Sequence, residues 1–167
     1  MAEEVHFDCL IIGAGISGLD AAYHIQKHCK WANYAILERR SNLGGTWDFF
    51  KYPGIRSDSD MFTFGFSWKI WNSAKPIAPA EDILAYLTEA AKEQGIMKHI
   101  HFNTDIQSAD WKSSDNRWHL VTTNGHRYGI GLICLHSLAL QSHVLVLGSK
   151  GIEGSKEHFF QNSFSSL

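Results

Sequence analysis

The 167-residue chain contains only three cysteines, and this scarcity excludes a fold held together by disulfides. Cys9, Cys29 and Cys134 are odd in number, widely spaced and free of any CxxC pair, as is usual in a reducing compartment. An excess of basic residues is also absent, since 15 Lys and Arg stand against 17 Asp and Glu. This balance disfavours a dedicated nucleic-acid binder, which normally has a basic face.

The chain also lacks a long uninterrupted apolar run. Its most apolar stretch, residues 130–147, is broken by histidine, serine and glutamine, whereas a membrane span needs about 20 residues with few such interruptions. The first four residues include two glutamates and no basic residue, whereas a secretory signal would be basic there. We therefore expect a soluble, cytoplasmic protein with no membrane span and no nucleic-acid partner.

Signatures of a metal site or of a catalytic nucleophile are missing as well. Ten histidines are present, but the spaced pairs His24/His28 and His99/His101 have no Glu or Cys placed to complete a ligand set. No GxSxG motif occurs. The sequence therefore predicts no bound metal.

The first forty residues contain the pattern of a dinucleotide-binding unit. The apolar run Phe7–Ile12 predicts a buried parallel strand, and the GxGxxG segment Gly13–Gly18 follows at once. Helical spacing of apolar residues continues to Cys29, and a second apolar run, Tyr34–Leu37, ends at Glu38. Glu38 lies twenty residues after Gly18, the interval at which such folds place a ribose-binding acid.

Each residue type in this pattern has a physical purpose, although glycines also mark plain turns. Gly13 permits the tight turn, Gly15 allows the backbone to approach a pyrophosphate, and Gly18 allows close packing of helix and sheet. The helix N-terminus favours phosphate. Glu38 would accept hydrogen bonds from ribose hydroxyls and repel a 2′-phosphate, so the pattern predicts FAD or NAD rather than NADP.

The next thirty residues differ from a simple NAD domain, which would turn directly into its next helix. They form a long excursion with paired glycines in Gly44–Trp47, where the backbone could pass a flat ring and Trp47 could cover it. Aromatic residues then alternate along Phe62–Trp68 with period two, which predicts a half-buried strand used for packing.

Taken together, these segments resemble the FAD-binding half of the class B flavoprotein monooxygenases. Four motifs occur in the order and spacing of that family: Gly13–Gly18, Glu38-Arg39, Gly44–Trp47 and Tyr52–Asp58. The family contains the flavin-containing and the Baeyer–Villiger monooxygenases, and the likeness is strongest to the Baeyer–Villiger-type branch that includes the ethionamide-activating monooxygenase. It extends from about Phe7 to about Trp118.

The resemblance implies a fold and an activity. The fold is α/β: a Rossmann-like FAD-binding domain with a parallel sheet, helices on both faces and a small antiparallel hairpin insertion. The activity is reduction of FAD by NADPH, followed by transfer of one oxygen atom from O₂ to a ketone or to a soft sulfur or nitrogen centre. The implied partners are thus O₂ and a small ketone, thioether or amine.

The resemblance also implies roles for individual residues. Arg56 and Asp58 are the implied catalytic residues, near nicotinamide and isoalloxazine. In the Baeyer–Villiger relatives an acid at the Asp58 position orients a separate arginine, which stabilises the peroxide. An exposed ion pair of Arg56 with Asp58 or Asp60 is the plainer alternative. The implied cofactor-binding residues are Gly13, Gly15, Ser17, Gly18, Glu38, Gly45, Thr46, Trp47, Asp48, Asp58 and Ile106.

The middle of the chain predicts supporting elements without further chemistry. A helix is predicted for Glu81–Gln94, with Gly95 ending it, and Asp20 is expected at an exposed helix position. Asn124-Gly125 is a two-residue hairpin signal. Three strands are predicted, at Asp105–Trp111, Arg117–Thr123 and His126–Ile133.

The likeness ends after about Ile133, where the glycine turn expected by family analogy is absent. We therefore expect a truncated FAD-binding domain at 1–147, incomplete after about 133, and a frayed tail at 148–167. The family's NADPH-binding domain and its catalytic arginine have no counterpart in the sequence. Two hypotheses stay open: the FAD-binding part of a monooxygenase, or a flavin-binding fragment without turnover. A small NAD-dependent reductase is disfavoured because it has no use for Gly44–Trp47.

Overall fold

The structure is a computed structural model that describes residues 4–136, 144–147 and 159–160. Its α-helices are α1 (Ile16–His28), α2 (Thr46–Phe49), α3 (Met61–Phe64) and α4 (Ala80–Glu93), and a short 3₁₀ helix spans Ile96–His99. Its strands are β1 (Glu4–Ile12), β2 (Tyr34–Leu37), β3 (Ile100–His101), β4 (Ile106–Lys112), β5 (Arg117–Thr122), β6 (Arg127–His136), β7 (Val144–Leu147) and β8 (Phe159–Phe160).

Strand β1 lies inside a mixed sheet whose main order is β3-β2-β1-β6-β5-β4. It pairs in parallel with β2, where Cys9 faces Tyr34, and in parallel with β6, where Leu10 faces Ile133. Strands β5 and β4 continue the sheet antiparallel, and β7 pairs antiparallel with β6 and β8. Because β1 and β2 are parallel, their carboxyl ends meet at the same edge, and the glycine motif and Glu38 follow there.

The two faces of the sheet are covered differently. On one face, buried residues of β1 and β2 pack with those of α1 and α4 in a single apolar cluster. On the other face, a smaller cluster forms between sheet and hairpin residues: Leu10, Leu37, Leu120, Tyr128 and Ile130. The predicted α/β, Rossmann-like class is confirmed. In the described residues the long helices pack on the first face, whereas strands β5 and β6 contribute to the second.

Helix α4 forms where the sequence predicts it, within one residue at each end. Its apolar residues recur at helical spacing, and Ile83 and Leu87 are completely buried. Glu81 and Asp82 lie in the first turn, where negative charge favours the helix dipole. The chain leaves the helix at Gly95, whose φ of 65° is in the left-handed region.

The prediction of a strand along Phe62–Trp68 is wrong. Met61–Phe64 is instead a single helical turn, with Asp60 as its N-cap, and Phe62 is 60% exposed. The predicted role of these aromatic residues in packing is confirmed for Phe66, which is buried and stacks on Trp68 at 4.3 Å between ring centroids. Two aromatic residues in the helical turn, followed by two more around the turn that the Lys69 amide closes on the Phe66 carbonyl, produced the apparent alternation.

The three predicted strands and their hairpin are confirmed, with a different turn. The loop between β5 and β6 runs from Thr123 to His126 rather than over two residues, and Gly125 alone takes a positive φ. The Thr122 amide donates to the His126 carbonyl and the Gly125 amide to the Thr122 carbonyl. This arrangement is a tight turn followed by one left-handed glycine.

None of the helices in the described part of the chain is long and apolar enough to cross a membrane. The domain limits 1–147 and 148–167 stay predictions, because residues 137–143, 148–158 and 161–167 lie outside the described residues.

Candidate cofactor site

The candidate site begins where β1 ends and α1 starts. Gly15 is the N-cap of α1, no side chain caps it, and the first turn contains no acidic residue. The Gly13 amide donates to the Leu37 carbonyl at 2.8 Å, which ties the loop to the end of β2. Ser17 is half-buried in the first turn. The N–H groups of this turn are therefore available to an anionic group, as the glycine motif predicts.

Position 18 must be a glycine because the loop before α1 leaves no room for a side chain there. A Cβ on Gly18 would stand 2.0 Å from the Gly13 carbonyl oxygen and 3.5 Å from Ile11 Cγ2. No larger residue fits without a backbone shift. The close packing predicted for this glycine is thus present, and its nearest neighbour is the turn itself.

Glu38 is a buried acid whose carboxylate is held by backbone amides. It is 6% exposed, with one oxygen accepting from Ala14 N at 2.8 Å and the other from Arg40 N at 3.0 Å. The Glu38 carbonyl accepts from Thr104 N at 2.9 Å. These bonds hold the carboxylate against the glycine loop while each oxygen keeps a second lone pair for a ligand hydroxyl.

The paired glycines bring a third loop to the same place. The Gly44 amide donates to the Ala14 carbonyl at 2.9 Å, so Ala14 joins both Glu38 and this loop. Gly45 has a φ of 54°, and a Cβ on it would stand 3.1 Å from Gly15 Cα. Gly15 and Gly45 therefore face each other, and their lack of side chains allows the two loops to approach.

Thr46, Trp47 and Asp48 form the short helix α2 and have different environments. Thr46 is exposed, and the half-buried Trp47 ring packs edge-on against Phe64 at 5.9 Å between centroids. Asp48 is buried, with its carboxylate 2.8 Å from Arg40 Nη2. Asp48 is thus engaged by protein groups, a contact that sequence reasoning missed.

The implied catalytic residues Arg56 and Asp58 are both exposed, and the described residues show no ion pair of either with the other or with Asp60. Ser57 between them is buried. Its amide donates to the Ala78 carbonyl at 2.8 Å, and its hydroxyl accepts from Ala78 N at 3.0 Å. The backbone of this segment is therefore fixed, while the two charged side chains point away from the core.

Asp60 instead caps α3. Its carboxylate accepts from the Thr63 amide at 2.9 Å and from the Thr63 hydroxyl. These hydrogen bonds lower the pKa of Asp60. The Asp-x-x-Thr spacing of Asp60 and Thr63 is an N-cap signal that the sequence contains.

An aromatic stack fixes the excursion onto α1 and α4, and sequence reasoning missed it. Trp68 stacks on Tyr23 at 4.2 Å and donates from Nε1 to Asp20 at 2.9 Å. Tyr86 donates to the Lys69 carbonyl at 2.6 Å and accepts from Phe66 N. Burial raises the pKa of the Tyr86 hydroxyl. Asp20, expected to be an exposed position without a specific role, thus holds Trp68.

Ile106 is half-buried at the start of β4, opposite Thr122. It therefore borders the small cluster on the second face of the sheet.

In the described residues no group of three or more His, Cys, Asp or Glu is arranged to hold a metal ion.

About two thirds of the chain is similar to known proteins. Residues 11–86 match the family described as "NAD(P)-binding Rossmann-like domain". The FAD-containing monooxygenase EthA of Mycolicibacterium smegmatis is 59% identical over 113 residues, and EthA of Mycobacterium tuberculosis is 51% identical over the same length. Over this stretch the chain is a homologue of the FAD-containing monooxygenases. The aligned part covers 68% of this chain but only 23% of either relative.

Solved monooxygenase structures share the fold. "Oxidized steroid monooxygenase bound to NADP" is 25% identical with a TM-score of 0.74, over 83% of this chain and 29% of that one. "Closed crystal structure of cyclohexanone monooxygenase" is 25% identical with a TM-score of 0.76, over 84% and 27%. The chain therefore spans about a quarter of the length of the FAD-containing monooxygenases that it matches.

Proposed function

We propose that this chain is the FAD-binding part of an NADPH-dependent flavin monooxygenase. The whole protein would insert one oxygen atom from O₂ into a ketone or a soft sulfur or nitrogen centre. The homologues are named FAD-containing monooxygenases, and one structural relative is described as bound to NADP, which supports both cofactors. The small number of cysteines, their wide spacing and the lack of a CxxC motif support a cytoplasmic location.

The observation that carries the proposal is the Ala14 junction. Ala14 N donates to Glu38, and the Ala14 carbonyl accepts from Gly44, so the glycine loop, the ribose acid and the paired glycines meet at one residue. The uncapped N-terminus of α1 lies next to it. A dinucleotide needs an anion site beside a hydroxyl acceptor, and these residues fit both halves of that requirement.

In this arrangement each residue has a distinct task. The first-turn amides of α1 would hold the pyrophosphate, Glu38 would hold the ribose, and Trp47 would line the flavin side. Bound FAD supplies the redox and oxygen chemistry. Buried Glu38 would also repel a 2′-phosphate, so NADPH would have to bind elsewhere in the whole protein.

A flavin-binding module without turnover is the second candidate. The observation that favours it is that Arg56 and Asp58, the implied catalytic pair, are exposed and not paired with each other in the described part of the chain. Catalytic groups act best when their geometry is fixed before reaction. The two candidates share FAD binding and differ in NADPH oxidation.

The test is the visible absorption spectrum of the purified 167-residue chain after incubation with FAD and removal of free FAD, followed by NADPH in air. A retained flavin spectrum supports the proposal, and loss of flavin absorption on NADPH addition supports the catalytic form. A flavin spectrum that NADPH leaves unchanged favours the binding module. A colourless protein with a cooperative thermal transition would contradict both.

A further inference from the structure

Arg40 occupies a central place among the loops of the candidate site. Its amide donates to Glu38 Oε1 at 3.0 Å, and its carbonyl accepts from Asn103 N at 3.0 Å. Its Nη2 donates to the Asp48 carbonyl at 3.0 Å and lies 2.8 Å from Asp48 Oδ2. The guanidinium also lies over the Phe49 ring at 5.1 Å. One residue thus connects the ribose acid to the helix on the flavin side.

The other terminal nitrogen of Arg40 has no acceptor. Three buried side-chain atoms in the described part of the chain lack a directed hydrogen bond: Glu4 Oε1, Asp48 Oδ2 and Arg40 Nη1. Glu4 Oε1 lies 2.8 Å from His119 Nδ1, and Asp48 Oδ2 lies 2.8 Å from Arg40 Nη2, so both oxygens have a close nitrogen partner. A buried guanidinium N–H without an acceptor is costly in a folded protein, so Arg40 Nη1 indicates an oxygen supplied by a ligand.

We propose that Arg40 is a further FAD-binding residue and that Asp48 positions it. Arg40 Nη1 donates to an oxygen of the dinucleotide next to Glu38, while Asp48 holds the guanidinium through its carbonyl and its charge. This inference rests on the proposed function, because the ligand is FAD. It also changes the expected part of Asp48, which acts through Arg40 rather than on the flavin.

The charges around Arg40 support this division. The Asp48 carboxylate is close to Arg40 and, at 3.4 Å, to the exposed Lys51, so two cations neutralise it. It therefore has little negative charge left to present to an anionic cofactor. Arg40 presents a fixed planar donor, and such a fork suits oxygen acceptors of phosphate or ribose better than a flexible lysine does.

The test is a double-mutant cycle on the full 167-residue chain, with FAD affinity measured by fluorescence quenching and apo stability by thermal melting. Arg40→Gln should weaken FAD binding about 10-fold or more, because a charge-assisted hydrogen bond is lost. Asp48→Asn keeps the backbone carbonyl that accepts from Arg40, so it should weaken FAD binding less than Arg40→Gln does. In the Arg40→Gln background, Asp48→Asn should cause no further loss, because Asp48 has nothing left to position.

Arg40→Lys keeps the charge without the fork and should also bind about 10-fold less tightly, which separates geometry from charge if Arg40→Gln lowers the melting temperature. The matched control is Arg127→Gln. Arg127 is exposed and faces Glu4 at the start of β1, at the opposite end of the strand from the glycine loop. Its substitution should leave FAD affinity within about two-fold of wild type.

Wild-type affinity in both Arg40 variants would overturn the inference and leave FAD binding by the chain intact. Additive losses from Arg40→Gln and Asp48→Asn would overturn the positioning role of Asp48. A coupling seen only in the apo melting temperature, with unchanged FAD affinity, would show a structural ion pair and overturn the inference. Failure of the folded wild-type chain to bind FAD would overturn the proposed function and this inference together.

Discussion

Glu38 and Asp58 are both acids that the sequence assigns to the candidate site, and the structure holds them in opposite ways. Glu38 is buried, and both its oxygens accept from backbone amides. Asp58 is exposed on a segment whose backbone is fixed through Ser57. The comparison teaches that the part of the site around Glu38, the binding end, is built by local chain geometry. In the segment around Asp58, which is implied to be catalytic, only the backbone is held in place.

The largest expected effect comes from breaking the binding end at Gly18. Gly18→Ala should destabilise the chain by about 3 kcal/mol, because the new Cβ overlaps the Gly13 carbonyl oxygen. Denaturant unfolding measures this. Gly54→Ala is the control, since a Cβ there meets nothing within 4 Å and its cost is one of conformation alone. Equal losses in the two variants would contradict the steric argument.

A smaller loss of stability is expected from removing the Ser57 hydroxyl, which holds the segment around Asp58. Ser57→Ala leaves the buried Ala78 amide without its acceptor and should lower the free energy of unfolding by about 1–2 kcal/mol. The exposed Ser59 gives the matched variant Ser59→Ala, which should change stability by less than about 0.5 kcal/mol. Unchanged stability in Ser57→Ala would show that this segment is not fixed through Ser57.

Substitution of the exposed acid sharpens the comparison. Asp58→Asn should leave the melting temperature unchanged, because no described contact of its side chain is lost, and should weaken FAD binding less than a Glu38 variant does. Fluorescence titration with FAD measures the affinity. A loss of affinity as large as that of a Glu38 variant would contradict the division between a fixed and an unfixed acid.

The smallest effect concerns the pH dependence that Asp60 contributes. Its pKa is lowered in the folded chain, so its stabilising contribution is complete above its ordinary pKa of about 4 and is lost as pH falls through the lowered value. Asp60→Ala should therefore lower the melting temperature at neutral pH, with the difference from wild type shrinking below about pH 4. The exposed Asp110 provides the control Asp110→Ala. A difference that persists undiminished at low pH would contradict the capping role.

The sequence predicted the elements that depend on local patterns. Phe7–Ile12 and Tyr34–Leu37 are short apolar runs, Gly13–Gly18 is a spacing motif, and Glu81–Gln94 has helical periodicity, so each could be assigned from neighbouring residues. Glu38 followed from its interval to Gly18. The structure buries Glu38 between two backbone amides, and its role toward a ligand stays a prediction.

The sequence could not predict contacts that depend on how the excursion folds back. Asp20 and Trp68 are 48 residues apart, and their hydrogen bond exists only because the segment after α3 lies against α1. The Arg40–Asp48 pair depends on helix α2 lying against the loop that follows β2. The Phe62–Trp68 alternation misled because an N-cap at Asp60 outweighs a period-two pattern. Asp60-x-x-Thr63 was the available signal.

The most direct test of the account is FAD titration of Glu38→Gln against the exposed control Glu81→Gln. Glutamine keeps one acceptor oxygen but places an amide N–H₂ against a backbone donor, so Glu38→Gln should weaken FAD binding about 10-fold to 100-fold. Glu81→Gln should bind like wild type. Wild-type FAD affinity in a folded Glu38→Gln chain would contradict the claim that this buried acid forms the centre of the cofactor site.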